Sequence, residues 1–112
     1  MKRLYVAVTL ILIAKVLFSQ NYPDSNTGGK YYTVNNARLW TVSFGKGDPM
    51  IIITGGPGGN HLGMRALDPL SDKNTLVYYD AFGRGKSDTA ADLKEYTIQR
   101  DIEDLEKLRL AM

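Results

Sequence analysis

Four of the five residues from Gly55 to Gly59 are glycine, with Pro57 between them, and they follow the apolar run Met50-Ile51-Ile52-Ile53-Thr54. Glycine costs backbone entropy, so it is placed where φ must be positive or where a ligand must come close to the main chain. A loop at the carboxyl end of a buried strand is also where open α/β sheets build their sites. The N–H groups of Gly55 and Gly56 can converge there on a developing anion, which is what an oxyanion hole requires. Thr54, Pro57, Gly58 and Gly59 shape that loop. A second loop, from Asp80 to Asp88, follows the run Thr75-Leu76-Val77-Tyr78-Tyr79. Asp80 reads as a hydrogen-bond acceptor that fixes this loop, and Gly83, Gly85 and Ser87 shape it.

Other chemistries fail on spacing. Gly85-Lys86-Ser87 matches the end of a phosphate-binding P-loop, but the first glycine would have to be residue 80, which is Asp80, and no apolar periodicity follows Ser87. A dinucleotide fingerprint starting at Gly56 would need glycine at position 61, which is His61. The five serines, at 19, 25, 43, 71 and 87, include none in a G-x-S-x-G nucleophile elbow. His61 is the single histidine. It reads as a first-turn residue of the helix after the glycine loop, because no nucleophile pairs with it and the base of such sheet hydrolases comes last in the chain. The absence of cysteine excludes a disulfide scaffold, a zinc ribbon and a thiol nucleophile, and one histidine leaves little for a metal cluster. No metal and no cofactor is expected. The acidic residues at 101–106 read as the solvated face of a helix.

These loops need elements to hold them. Tyr31–Val34 is β-prone, Asn35-Asn36 is a turn signal, and Trp40, Val42 and Phe44 alternate with Thr41 and Ser43. That predicts a hairpin whose second strand is half-buried. Gly45–Pro49 is a second turn. The apolar runs at 50–54 and 75–79 predict strands buried on both faces, hence a parallel sheet covered by helices. Residues 61–72 carry Leu62, Ala66, Leu67 and Leu70 on roughly one helical face, with Pro69 limiting the helix. Residues 81–96 read as loop. From Thr97, a cap residue, apolar positions 98, 102, 105 and 108 recur at helical spacing. The order of a β-hairpin, then β-α-β-α, predicts an α/β fold with an incomplete sheet.

The first 19 residues differ from the rest. Met1-Lys2-Arg3 precedes an apolar run from Leu4 to Ala14, and the stretch ends at Ser19. That pattern predicts a secretory signal peptide, too short for a membrane span, and so an exported product, periplasmic or secreted. Removing Lys2, Arg3 and Lys15 turns a formal charge of +2 into −1, which argues against a nucleic-acid partner. Residues 20–30 are a polar lead-in with Pro23 and Gly28-Gly29.

The segment Ile51-Ile52-Ile53-Thr54-Gly55-Gly56-Pro57-Gly58-Gly59 resembles the H-G-G-P-G loop of α/β-hydrolases of the proline iminopeptidase family. Tyr79-Asp80-Ala81-Phe82-Gly83-Arg84-Gly85-Lys86-Ser87-Asp88 resembles that family's D-x-R-G-x-G-x-S segment, at a fitting distance. Tyr96-Thr97 through Arg109 resembles the helix that leads to its nucleophile elbow. The resemblance implies that residues 31–112 are the amino-terminal portion of an α/β-hydrolase domain, cut before the elbow. It also implies an amide or ester hydrolase with a Ser–His–Asp triad and a helical cap, acting on a peptide or a small ester or amide. One oxyanion donor would come from Gly55 or Gly56. The triad lies outside these residues, so the chain by itself is expected to be inactive. Thr54 stands where the family has histidine, and Ala81-Phe82 where Gln-Arg is common. The resemblance leaves other α/β-hydrolases open (esterase, epoxide hydrolase or dehalogenase), and a non-catalytic gene remnant or binding module remains the reading from another class.

Overall fold

The computed structural model describes residues 28–55 and 58–112. The signal segment, most of the lead-in, Gly56 and Pro57 lie outside the described residues. Four strands form one sheet in the order β1-β2-β4-β3. β1 (Lys30–Val34) and β2 (Ala37–Gly45) make the expected hairpin. Its turn is Asn35-Asn36, both at positive φ (47° and 59°), as a type I′ turn requires. Asparagine tolerates that region better than most residues, which explains the pair at this position.

β2 pairs antiparallel with β4 (Asn74–Tyr79), and β4 pairs parallel with β3 (Asp48–Ile52). The sheet therefore changes from antiparallel to parallel at β4. That strand is central, and its last four residues are buried. Two expectations about the strands need correction. β2 is not half-buried: Leu39 through Val42 are all buried, Thr41 included, because the strand has a neighbour on each side and packing on both faces. β3 is not covered on both faces. Among the described residues it is the edge of the sheet, with Met50 37% exposed and Ile53, just past the strand, 57% exposed. It also starts at Asp48, so Pro49 lies within the strand and not in the turn. An edge position suits proline, which has no N–H to give to a ladder.

The segment after the glycine loop is a 3-10 helix, His61–Asp72, which runs through Pro69 to Asp72. Three residues per turn, not 3.6, set its inward side. His61, Met64 and Leu67 follow one another at that spacing toward the sheet, and Asp68 and Ser71 are buried after them. Leu62 and Leu70, expected on the inner face, are 48% and 44% exposed. Tyr78 of β4 donates its hydroxyl to Asp68 Oδ1 at 2.8 Å, which ties this helix to the sheet. The loop 81–96 contains one short 3-10 turn, Leu93–Glu95.

Helix α1 (Ile98–Ala111) begins at Thr97, whose side chain accepts from Arg100 N. It lies against the opposite face of the sheet. Leu108 is fully buried and packs with Tyr79 and Ala81, supported by Leu105. The other half of the predicted stripe is not core: Ile98 is 80% and Ile102 57% exposed. Asp104 is buried at 2% exposure, contrary to the solvated face expected for 101–106. It accepts from Asn35 Nδ2 in the hairpin turn, while Arg100 sits beside it and donates to Asn35 O. The turn thus supplies the partner that lets an acidic residue face inward.

Burial separates residues that helical spacing alone would group together. Leu108→Ala is expected to cost about 2–5 kcal/mol, whereas Ile98→Ala should stay within about 0.5 kcal/mol of the parent. Urea unfolding of the two variants checks this, and equal losses would contradict the packing.

Candidate active site

The two parallel strands end side by side. β3 runs into the glycine loop and β4 into the Asp80 loop, so both loops emerge at the same end of the sheet. One side chain joins them. Asp80 is completely buried. Its Oδ1 accepts from the backbone N–H of His61 at 2.8 Å and lies 2.7 Å from His61 Nδ1. Its Oδ2 accepts from Lys86 N at 2.9 Å. Its own N–H donates to Trp40 O, and its carbonyl accepts from Ser87 Oγ. The carboxyl group also stands at the amino terminus of the 3-10 helix, where the free N–H groups favour an acceptor. Asn60 Oδ1 takes the next one, Leu62 N, at 3.0 Å.

The Asp80 loop folds around this carboxyl group. Gly85 has φ of +51°, and a Cβ there would lie 2.1 Å from Asp80 Oδ2, so only glycine fits. Gly83 also has positive φ and lies under the ring of Tyr96, whose hydroxyl accepts from Ala90 N. Ser87 is buried; its Oγ accepts from Trp40 N at 2.8 Å while donating to Asp80 O. Asp88 closes the loop onto β2, accepting from Arg38 N and from the Arg38 guanidinium. Those hydrogen bonds from the Arg38 side chain, and then from its backbone, hold the Asp88 carboxyl below the usual carboxylate range. On the α1 face, burial and then the Asp101 carboxylate push the Tyr79 hydroxyl up.

The described part of the glycine loop is more open. Thr54 is half-buried and Gly55 is exposed. Nothing lies within 4 Å of where a Gly55 Cβ would be, and its φ is not in the left-handed region. Neither packing nor a left-handed backbone requires glycine there. Gly58 has φ of +78° and also faces open space, and Gly59 is half-buried. Gly56 and Pro57, the other residues assigned to this loop, lie outside the described residues. Among the described residues, no group of three or more His, Cys, Asp or Glu could hold a metal ion.

His61 occupies the first turn after the loop, as its position in the sequence implies. Its pairing with Asp80, 19 residues away, had only a weak signal in the chain. Neither local spacing nor periodicity reports such a contact. The only hint was that a lone histidine and an aspartate each stand directly beyond a glycine-punctuated strand end.

Acid should loosen the Arg38–Asp88 closure. The folded Asp88 carboxyl titrates below its ordinary 3.8, so the pair stabilises above that value and is lost as pH falls through the folded one. Asp88→Asn is expected to lower Tm near neutral pH, and that deficit should shrink below about pH 4. A deficit that stays constant in thermal scans from about pH 7 to pH 3 would remove the pair from this role.

No protein-family model matches the chain. Among curated proteins, a proline iminopeptidase of Saccharolobus solfataricus is 39% identical over 73 residues, covering 64% of this chain and 23% of that protein. Among solved structures, a proline iminopeptidase-related protein from Thermus thermophilus superposes with a TM-score of 0.68 at 30% identity, over 74% of this chain and 31% of that one. A mutant epoxide hydrolase from Vigna radiata gives 0.66 at 21% identity, over 74% of this chain and 26% of its own, a likeness of fold alone. The chain thus spans about a quarter of the length of the curated relatives it matches. With the hairpin, the crossover onto β4 and the two glycine-punctuated strand ends at one end of the sheet, these likenesses give the chain the fold of the α/β-hydrolases, an enzyme family, and a sequence similar to a stretch of its proline iminopeptidases.

Proposed function

We propose that the chain is the amino-terminal part of an exported serine hydrolase that cleaves amide bonds, in the manner of a proline iminopeptidase-like aminopeptidase. The observation that carries the site is Gly55. It stands at the carboxyl end of a parallel strand, with its main chain open and no fold requirement for glycine. A backbone N–H held there can donate to the oxyanion of a tetrahedral intermediate, and Gly56 is its neighbour in the same role. Support for the substrate class comes from the relatives, which are named proline iminopeptidases. In this reading the Ser–His–Asp triad lies outside these 112 residues, and triad hydrolysis needs no metal. Export rests on the basic, apolar and small-residue pattern of residues 1–19.

In this reading the 112 residues position one oxyanion donor and leave the covalent chemistry to residues elsewhere. The nucleophile would attack the scissile carbonyl, and negative charge would gather on the carbonyl oxygen. Donors fixed in advance stabilise that charge without reorganising during the step.

The protein extended to its relatives' length is expected to cleave prolyl arylamides, and a serine-directed phosphonate should abolish the activity. Replacing the Gly55 N–H through Gly55→Pro should lower kcat by about 10²–10³-fold. Aryl esters and epoxides in the same assay separate the other α/β-hydrolase chemistries, and turnover of these alone would overturn the peptidase reading. The 112-residue chain should not be labelled by the phosphonate, and labelling would place a nucleophile within it. Secreted product starting at Gln20 supports export; retention of Met1 in the exported protein contradicts cleavage.

A further inference from the structure

We propose that His61 is the positioning residue of the glycine loop, acting through Asp80, and that its Nδ1 is the protonated ring nitrogen. This rests on the oxyanion reading above for its purpose but not for its geometry.

The described residues of the glycine loop have few holds of their own. Gly55 and Gly58 face open space, and glycine brings the largest backbone freedom of any residue. A loop that donates to a short-lived anion needs the opposite, because misplacement of a donor by an ångström forfeits its contribution. Holds at the two ends of the loop supply rigidity that Gly55 and Gly58 do not. At its start stands β3, held by β4 alone among the described residues. At its exit stands His61, 2% exposed, with two donors on one oxygen: the backbone N–H at 2.8 Å and Nδ1 at 2.7 Å from Asp80 Oδ1. Main chain and ring of one residue are thus fixed to one point on β4's loop. That point is immovable in turn, since Asp80 is held by Lys86 N, Ser87 Oγ and Trp40 O.

The proton's place follows from the partners. Asp80 Oδ1 already accepts from His61 N, so it acts as an acceptor and Nδ1 must supply the hydrogen. Nε2 is buried and has no hydrogen-bond partner among the described residues. The alternative tautomer would set a lone pair against the carboxylate and leave a buried N–H unpaired, the costlier arrangement. The imidazole therefore works here as a fixed donor, and the backbone it anchors is that of the loop.

The test uses the 112-residue chain and needs no turnover, so its failure is separate from failure of the hydrolase reading, which the extended protein's assay decides. Imidazole ¹⁵N shifts recorded at about pH 8 should report the Nδ1–H tautomer. Backbone order parameters at Gly59 and Asn60 should be near about 0.85 in the parent and fall below about 0.6 in His61→Ala. His61→Asn, whose amide N–H can reach the position of Nδ1, should restore them. The Nε2–H tautomer, an unchanged loop in His61→Ala, or a loop still mobile in a folded His61→Asn would each overturn the proposal. If His61→Ala unfolds, the tautomer and the asparagine variant decide it alone.

Discussion

A carboxyl group removed from water must find its hydrogen bonds inside the protein, and Asp80 is the group on which this structure depends. Leaving a buried carboxylate without partners costs several kcal/mol, about 3–5 by the measure of broken buried pairs. The chain satisfies Asp80 from both loops at once, with His61 on one oxygen and Lys86 on the other. The interaction forces Gly85, since any side chain there would occupy the carboxylate's space. It forces a buried serine at 87, which carries the bond onward from Asp80 O to Trp40 N. A motif that looks in one dimension like a glycine-rich phosphate loop is in three dimensions a knot around one acid.

The rest of the fold brings the knot's two halves together. β2 lies antiparallel to β4, and its first residues, Arg38 and Trp40, receive the far end of the Asp80 loop. The crossover through the 3-10 helix sets β3 parallel beside β4, so that two strand ends open in one direction. On the other face, α1 is locked by Leu108 in the core and by Asp104 and Arg100 around the Asn35 turn. The hairpin is therefore more than a lead into the sheet: its turn residue Asn35 donates to a buried acid 69 positions away. What remains open in the glycine loop, among its described residues, is Gly55 and Gly58, with His61 bonded to Asp80 at the loop's exit.

The parts legible in the sequence were those with local causes. Paired asparagines can both take positive φ, so the hairpin was readable. A continuous apolar run does mark β4 as central, and Thr97 does cap α1. Local reasoning failed where another element decided. The run 50–54 has the composition of a covered strand, but β3 is an edge among the described residues. The segment 61–72 has a plausible 3.6-residue stripe, but it winds three residues per turn and buries Asp68 and Ser71 in place of Leu62 and Leu70. Asp104 reads as solvated until Asn35 is placed beside it. The glycine loop was visible as a candidate site because four glycines in five residues have no packing use. The His61–Asp80 contact was not visible, because it is a product of the crossover that puts two strand ends together.

The central claim is that an open main chain at Gly55, fixed at the loop's exit by His61 and Asp80, faces the charge that develops during hydrolysis. A crystal structure of the extended protein covalently trapped by a serine-directed phosphonate tests it most directly. The account predicts the phosphonyl oxygen within about 2.7–3.1 Å of Gly55 N or Gly56 N, with His61 still bonded to Asp80. A phosphonyl oxygen held by donors elsewhere, with the glycine loop turned away from it, would contradict the account.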